Sequence, residues 1–206
     1  MHAEHFASLD QQQHAARLGM WIFLASEALL FAALFTLFTA YRAEYHAAFL
    51  EAVRHNTRVI GSINTGVLLA SSAFVASAVH AARDGRRGAT LARIAATMAL
   101  GATFVVLKLV EYGAHVREGI LPGGAGRFFV EHVEPGLPSF WTLYWLMTGL
   151  HALHVIIGLT VLGTVGFFVA RRLAIGPYAH RLEVAAIYWH LVDVVWIFLW
   201  PLFYLA

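Results

Sequence analysis

The feature that most constrains this chain is a set of five apolar stretches, each long enough to cross a lipid bilayer. A helix needs about 20 residues to span about 30 Å of hydrocarbon. Segments of about ten residues with alternating hydrophobicity, which a membrane β-barrel needs, are absent from the sequence. The sequence therefore predicts an all-α polytopic membrane protein with a bundle of five transmembrane helices. The apolar stretches cover residues 18–41, 59–80, 93–113, 139–170 and 182–206.

Composition agrees with a membrane protein and excludes several functions. The chain is 60% hydrophobic and 13% charged, which is too few charges for a water-facing surface. A formal net charge of +2 provides no basic field for binding nucleic acid. The chain has no cysteine, which excludes disulfides, thiolate zinc sites, iron–sulfur clusters and cysteine nucleophiles.

The distribution of arginine predicts the orientation in the membrane. The segment 1–17 and the second and fourth connections carry eight arginines, whereas the first and third connections carry five. Because basic residues concentrate on the cytoplasmic side, we expect residues 1–17 to form a cytoplasmic N-terminal segment. Five crossings from 18 to 206 then place the C-terminus outside. The third connection, residues 114–138, is rich in Gly and Pro and is predicted to be irregular chain on the outer face.

Ionisable side chains inside the predicted helices are the candidate functional residues, because charges in hydrocarbon are costly and seldom kept without a role. At helical rise, Glu27 lies about 14 Å from the start of the first stretch, and His154 about 22 Å from the start of the fourth. His190 and Asp193 lie about 12 and 17 Å from the start of the fifth. All four are therefore predicted near the middle of the bilayer.

The spacing of these residues favours structural hydrogen bonds and leaves two functional alternatives open. His151 and His154 are three residues apart, as are His190 and Asp193, so each pair shares a helix face and Asp193 is expected to pair with His190. One alternative is a proton or ion path through Glu27. The other is axial ligation of haem by histidines from facing helices, for which the candidates are His80, His151, His154 and His190.

Two further polar features have a structural explanation. Lys108 and Glu111 form an i, i+3 pair towards the outer end of the third stretch, where Lys108 is expected to extend to the membrane interface with Glu111 beside it. The second stretch is rich in Gly, Ala and Ser, which allows neighbouring helices to approach closely. We expect Asn64 to form hydrogen bonds between helices there.

Nucleophile and nucleotide motifs such as GxSxG, the P-loop and HExxH are absent. Longer motifs instead resemble subunit III of haem-copper respiratory oxidases. The last two helices carry the most specific ones, His151-Ala-Leu-His-Val-Ile-Ile-Gly158 and Glu183-Val-Ala-Ala-Ile-Tyr-Trp-His-Leu-Val-Asp-Val-Val-Trp-Ile-Phe-Leu199. Further matches are Ser26-Glu27, Asn64-Thr-Gly-Val-Leu-Leu-Ala-Ser71 and Lys108-Leu-Val-Glu-Tyr112, so the resemblance covers all five helices.

The resemblance implies an accessory subunit, without its own cofactor or metal, in a proton-pumping terminal oxidase of aerobic respiration. Haems and copper would reside in partner subunits. The chain would pack beside subunit I, in a complex with subunit II and other oxidase subunits, in the cytoplasmic (inner) membrane of a bacterium. There it would bind phospholipid, ease oxygen access and sustain proton uptake. Supercomplex partners are a further expectation from the resemblance.

The resemblance also assigns individual residues. His151, His154 and His190 match interior histidines of the family that hold no metal, and Glu27 matches its buried carboxylate. Asn64, Glu111 and Asp193 complete the set of buried polar candidates. Lipid headgroups are expected to contact basic residues near the connection between the fourth and fifth helices, namely Arg171, Arg172, His180 and Arg181.

Three departures from the family pattern stand out. The chain lacks the two N-terminal helices of mitochondrial-type members and is similar to the shorter five-helix bacterial form. Residues 177–181 replace a segment in which the family often has two adjacent histidines. The loop 114–138 is longer than expected and is available to another subunit.

Alternative functions remain open at the level of sequence. A nitric oxide reductase complex contains a similar accessory subunit, and an independent proton-coupled carrier would use Glu27 and Asp193 as proton sites. The motifs do not separate cytochrome c from quinol as the electron donor, and they do not identify the haem types of the partner.

Overall fold

The computed structural model describes residues 9–176 and 179–205, and this part of the chain is helical apart from short connections. Residues 1–8 of the predicted N-terminal segment, Pro177 and Tyr178 of the departing segment, and Ala206 lie outside the described residues. The helices are α1 (Leu9–Glu44), α2 (His46–His55), α3 (Arg58–Arg83), α4 (Arg87–Glu118), α5 (Phe128–Glu131), α6 (Leu137–Ala170) and α7 (His180–Tyr204).

The predicted fold class is confirmed. Within the described ranges, five helices are long and apolar enough to cross a membrane, and each corresponds to one of the five apolar stretches. An α-helix satisfies every backbone hydrogen bond within its own segment, which is why an apolar chain adopts it in lipid. The first four membrane-crossing helices are longer than their apolar stretches. For example, α1 begins at Leu9, nine residues before the stretch at 18–41, and α4 continues to Glu118.

Four of the membrane-crossing helices form the core, and the fifth is attached to its outside. Helix α3 packs against α4 and α7, and α6 packs against the same two helices on the opposite side. Among the membrane-crossing helices, α1 packs mainly against α6 and α7. We call the end of the bundle where α7 begins the Glu183 end, and the opposite end, where α4 finishes, the Glu111 end.

Trp189 of α7 is the central packing residue of the core. Its fully buried indole lies between Gly101 of α4 and Gly158 of α6, where an added Cβ would approach the ring to 2.7 and 2.8 Å respectively. Its Nε1 donates a hydrogen bond to Ser71 Oγ of α3 at 2.9 Å. One tryptophan therefore joins all four core helices, and the two glycines provide the space that it needs.

The connections at the Glu111 end are more ordered than the sequence predicts. Helix α2 lies in a segment where the sequence predicts a connection, and its Phe49 packs on Phe38 of α1 and Phe140 of α6, each at 5.2 Å between ring centroids. The prediction of irregular chain over 114–138 is wrong at the start of the segment and in part of its interior. Helix α4 extends to Glu118 and stops at Gly119, whose φ of 81° suits glycine, and α5 lies within the loop.

Candidate functional site

A closed group of polar side chains lies inside the core near the Glu111 end. Lys108 and Glu111 are one turn apart on α4, and their side chains are 1% and 4% exposed, with 3.3 Å between Lys108 Nζ and Glu111 Oε2. Lys108 Nζ also donates to the hydroxyls of Tyr144 on α6 and Tyr204 on α7, at 3.1 and 3.0 Å. Both hydroxyls donate to Glu111 Oε1 at 2.6 Å. We call these four residues the Lys108 cluster.

The Lys108 cluster satisfies the buried charges within the protein. Each tyrosine hydroxyl accepts from the ammonium group and donates to the carboxylate, so positive and negative charge are joined both directly and through two bridges. The rings of Tyr112 and Tyr144 lie 4.8 and 4.9 Å from Lys108 Nζ and add cation–π attraction. The prediction that Lys108 extends to the membrane interface is wrong, because α6 and α7 cover it and offer it these partners.

The sequence singles out Lys108 and Glu111 as a pair, but not Tyr144, Tyr204 or His115. His115 is also buried there, with its ring against Trp141 at 4.9 Å and Tyr144 at 5.2 Å. The sequence does place His115 with this pair, because Lys108, Glu111 and His115 follow the i, i+3, i+7 spacing of one helix face. The tyrosines gave no such signal, because their contacts depend on how α6 and α7 pack.

A second polar contact joins the peripheral helix to the core. Glu27 of α1 places Oε2 2.9 Å from Nε2 of His154 on α6, and the two side chains are 17% and 11% exposed. His154 Nδ1 lies 2.8 Å from the carbonyl oxygen of Leu150. A carbonyl only accepts, so Nδ1 carries a proton. The Nε2 contact then shares one further proton between histidine and carboxylate, and the pair is neutral whichever partner holds it.

His151 and His154 have different surroundings although they are three residues apart. The ring of His151 is fully buried and packs against Phe104 of α4 at 5.4 Å and Trp196 of α7 at 5.2 Å. Neither of its ring nitrogens makes a hydrogen bond to any residue that the structure describes. His154 turns instead towards α1, so the two histidines do not act as a pair.

The predicted pairing of Asp193 with His190 is wrong. His190 Nδ1 lies 2.6 Å from Ser72 Oγ of α3. Asp193 is 3% exposed, and among the described residues neither carboxylate oxygen accepts a hydrogen bond. The small residues of α3 bring Ser72 close enough to α7 to take the place of Asp193 as the partner of His190.

Asn64 is fully buried but does not form the expected interhelical bonds: its side-chain nitrogen and oxygen have no hydrogen-bond partner within the described ranges. Hydroxyl groups of α3 do this instead. Besides Ser71, which receives the Trp189 indole, Thr65 Oγ1 accepts from Trp196 Nε1 at 3.0 Å. Trp189 and Trp196 lie on the face of α7 that packs against α3, so their indole N–H groups reach these hydroxyls.

Ion pairs at the Glu183 end join three helices. Glu183 of α7 accepts from Arg83 of α3 at 2.8 Å and from Arg17 of α1 at 3.0 Å. The lipid candidates lie near the same end: Arg171 is over the ring of Phe167 and Arg181 over that of Phe168, at 5.1 and 5.4 Å. Arg172 is exposed and His180 half-buried. Among the residues described, no three His, Asp or Glu side chains are placed to share a metal ion.

The fold and the site define a class of protein: a helical membrane protein whose intramembrane acids and bases mostly contact other helices of the same chain. Comparison with known proteins identifies the family. The family described as cytochrome c oxidase subunit III matches residues 3–130 and 136–206. The chain therefore belongs to the cytochrome c oxidase subunit III family, and the unmatched residues 131–135 lie at the end of α5 and the start of the following connection.

Individual relatives match along nearly their full length. Quinol oxidase subunit 3 of Bacillus spizizenii is 30% identical over 210 residues, which is 99% of this chain and 96% of the relative. The protein of the same name from Bacillus subtilis is 29% identical with the same coverage. A probable quinol oxidase subunit 3 of Staphylococcus saprophyticus is 29% identical over 96% of this chain and 94% of its own length.

These comparisons confirm the resemblance noted in the sequence. The chain is a subunit III of a haem-copper terminal oxidase in a respiratory chain, it is a multi-pass membrane protein, and it works together with other subunits of the oxidase.

Proposed function

We propose that this chain is the accessory subunit III of an oxygen-reducing quinol oxidase in the cytoplasmic membrane of a bacterium. In that complex it packs directly against subunit I, with subunit II nearby, while haems and copper reside in the partners. The observation that carries the proposal is the match to quinol oxidase subunits 3 of bacteria over 94–96% of their length. The family resemblance supports roles in easing oxygen access and sustaining proton uptake by the catalytic subunit.

The polar contacts support a structural role. The Lys108 cluster joins α4, α6 and α7, and the Glu27–His154 contact joins α1 to α6. In each case an ionisable group binds a partner on another helix of the same chain. Such groups stabilise a particular arrangement of helices, as is needed for a subunit that supports a catalytic partner.

We also propose that an anionic phospholipid binds at the Glu183 end, on the outer surface of α6 and α7. Arg171 and Arg181 are stacked on Phe167 and Phe168, so their guanidinium groups are positioned at the boundary between polar and apolar surface. Arg172 is exposed and can extend the headgroup contact, and His180 lies nearby at the start of α7. Clusters of basic residues at a membrane boundary attract anionic lipids.

Purification of the complex through a tag on this chain tests the proposed function. We expect subunit I to copurify and the complex to consume oxygen with a quinol as donor. Oxidation of cytochrome c without quinol oxidation would disprove the proposed donor. Consumption of nitric oxide in place of oxygen would identify the related reductase complex, and proton transport by the isolated chain in liposomes would identify a carrier.

The proposed orientation, with the N-terminus in the cytoplasm, has a direct test because the chain contains no cysteine. Val133 in the loop at the Glu111 end and Leu173 near the Glu183 end are both exposed and suit single-cysteine substitution. In cells that keep an intact cytoplasmic membrane but have lost the cell wall and any outer membrane, a membrane-impermeant maleimide should label Val133→Cys and not Leu173→Cys. The reverse pattern would disprove the orientation.

A further inference from the structure

An apolar groove runs along the seam between α1 and α7. Its wider part, of about 510 Å³, is lined by side chains that include Trp21 and Ala25 of α1 and Ile187 of α7. A narrower part of about 160 Å³ continues towards the Glu111 end, past Phe35 and Phe198. Both parts share Ala28, Leu191 and Val194, so they form one continuous groove with a wide and a narrow section.

His190 is the polar side chain in the wall of the wide section. It also lines a neighbouring cavity of about 260 Å³ between α3 and α7, whose other walls include His80, Arg83 and Glu183. His190 therefore lies where an apolar groove meets a cavity with a charged wall. By helical rise it is about 10 Å along α7 from Glu183, and therefore well within the apolar zone.

The contacts of His190 allow it either to donate or to accept a hydrogen bond in the groove. Its Nδ1 is engaged by Ser72 Oγ at 2.6 Å, which leaves Nε2 for a ligand. If Ser72 donates to Nδ1, neutral His190 carries its proton on Nε2 and is a donor. If Nδ1 carries the proton and donates to Ser72, Nε2 is an acceptor.

Asp193 makes the second arrangement accessible. Its buried carboxylate lies close to the Ser72 side chain, and neither carboxylate oxygen has a hydrogen-bond partner among the described residues. A rotation of the Ser72 hydroxyl towards Asp193 would supply that carboxylate with a donor and leave the serine oxygen to accept from His190 Nδ1. The groove thus has one polar group that adapts to either kind of ligand oxygen.

We propose that this groove binds the membrane quinone, in both its oxidised and its reduced form, with a ring oxygen at His190 Nε2. The inference rests on the proposed function, in which the complex oxidises a quinol. Quinone presents a carbonyl acceptor and quinol a hydroxyl donor, which match the two states of His190. The ring lies in the wide section beside Trp21, and the isoprenoid tail follows the narrow section.

The site binds and releases the ligand without changing its redox state, so it holds quinone beside the oxidase. A phospholipid fits the observations less well. At the depth of His190 a phospholipid offers hydrocarbon, which leaves Nε2 without a partner, whereas a quinone ring supplies one. Buried polar groups favour ligands that complete their hydrogen bonds.

Photolabelling of the purified complex with an azidoquinone that carries an alkyl tail tests this proposal. We expect labelled peptides from α1 around Ala25 and from α7 around Leu191. Ala28→Trp, which fills the junction of the two sections, should reduce labelling at least tenfold. His190→Leu should reduce it by about three- to tenfold, the usual effect of one lost hydrogen bond. Ala33→Trp, on exposed α1 surface, is the matched control and should label like the wild type.

Competition identifies the ligand class. Excess unlabelled quinone should abolish labelling of α1 and α7, and excess phosphatidylglycerol should not. Competition by the phospholipid alone would overturn the proposal in favour of a lipid site. Absence of label from these helices would overturn it as well, since a partner subunit would then cover the groove. Labelling is independent of turnover, so a complex that labels here but fails to oxidise quinol would disprove the proposed donor and leave the binding site standing.

Discussion

Two acid–base contacts within the membrane differ in where they lie. The Lys108 cluster is enclosed by three core helices, and its charged side chains are 1% and 4% exposed. The Glu27–His154 contact joins the peripheral helix to the core, and its side chains are 17% and 11% exposed. In the cluster, two tyrosine hydroxyls connect the charges a second time. Within the described ranges, Glu27 makes one side-chain hydrogen bond, to His154.

The two contacts differ in what happens when one partner is removed. A fully enclosed charge cannot reach water or lipid headgroups when its partner is removed, so the whole desolvation cost remains. The Glu27–His154 pair is partly exposed, and it has no net charge because its two members share one proton. When one member is removed, the other can therefore rearrange. We therefore expect the core cluster to determine whether the subunit folds, and the peripheral contact to determine how firmly α1 is held.

Replacement of Glu111 should have the largest effect. Glu111→Leu leaves the Lys108 ammonium group buried without a carboxylate, and the loss should be about 3–5 kcal/mol in the free energy of unfolding. Titration of the purified subunit with sodium dodecyl sulfate, followed by tryptophan fluorescence, measures it.

The double variant Lys108→Met/Glu111→Leu is the control for this first prediction. It removes both charges and retains apolar volume, so it should recover most of the lost stability. If the double variant is no more stable than Glu111→Leu, the loss comes from packing and the charge argument is wrong.

Core packing around Trp189 should give the next largest effect. Gly158→Leu would place a Cβ 2.8 Å from the Trp189 ring, and overpacking of this kind costs about 1–3 kcal/mol. Gly149→Leu on the same helix is the matched control, because an added Cβ there meets no atom within 4 Å. The same denaturant titration compares the two, and equal losses would show that α6 and α7 adjust freely.

Replacement of Glu27 should cost less than either core change. Glu27→Ala removes the hydrogen bond to His154, for a loss of about 1–2 kcal/mol, and α1 should remain attached through its apolar contacts. We expect the complex to assemble but to inactivate after fewer turnovers, as measured by oxygen consumption over time. Endurance equal to that of the wild type would disconnect this contact from sustained proton uptake.

The fold was largely predictable, and the polar contacts were not. Hydropathy locates all five membrane-crossing helices because each must be apolar over a length fixed by the bilayer. Hydropathy misses α2, whose Phe49 is buried by rings from other helices. It also places the ends of α1 and α4 at the ends of the apolar stretches, although both helices extend further.

Spacing along one helix predicts which residues share a face but not which partner they find. Lys108 and Glu111 were correctly placed side by side, yet the decisive tyrosines come from α6 and α7. His190 and Asp193 were expected to bind each other, and Ser72 of α3 takes His190 instead. Partners on other helices depend on rotation and tilt, which the period of one helix does not encode.

The smallest effect is expected at the Glu183 end, where α1 has its other charged contact. Glu183 retains Arg83 at 2.8 Å when Arg17 is removed, and the Arg17 side chain is already 45% exposed. Arg17→Ala should therefore cost about 0–1 kcal/mol, as is usual for an exposed ion pair, and the difference from wild type should shrink at high salt. Denaturant titrations at low and high salt measure both.

Arg83→Ala is the comparison, since it removes the shorter contact. Arg17→Ala could instead lower the free energy of unfolding as much as Glu27→Ala at either salt concentration. In that case the ion pairs at the Glu183 end hold α1 to the core, and the Glu27–His154 pair has a role other than attaching α1.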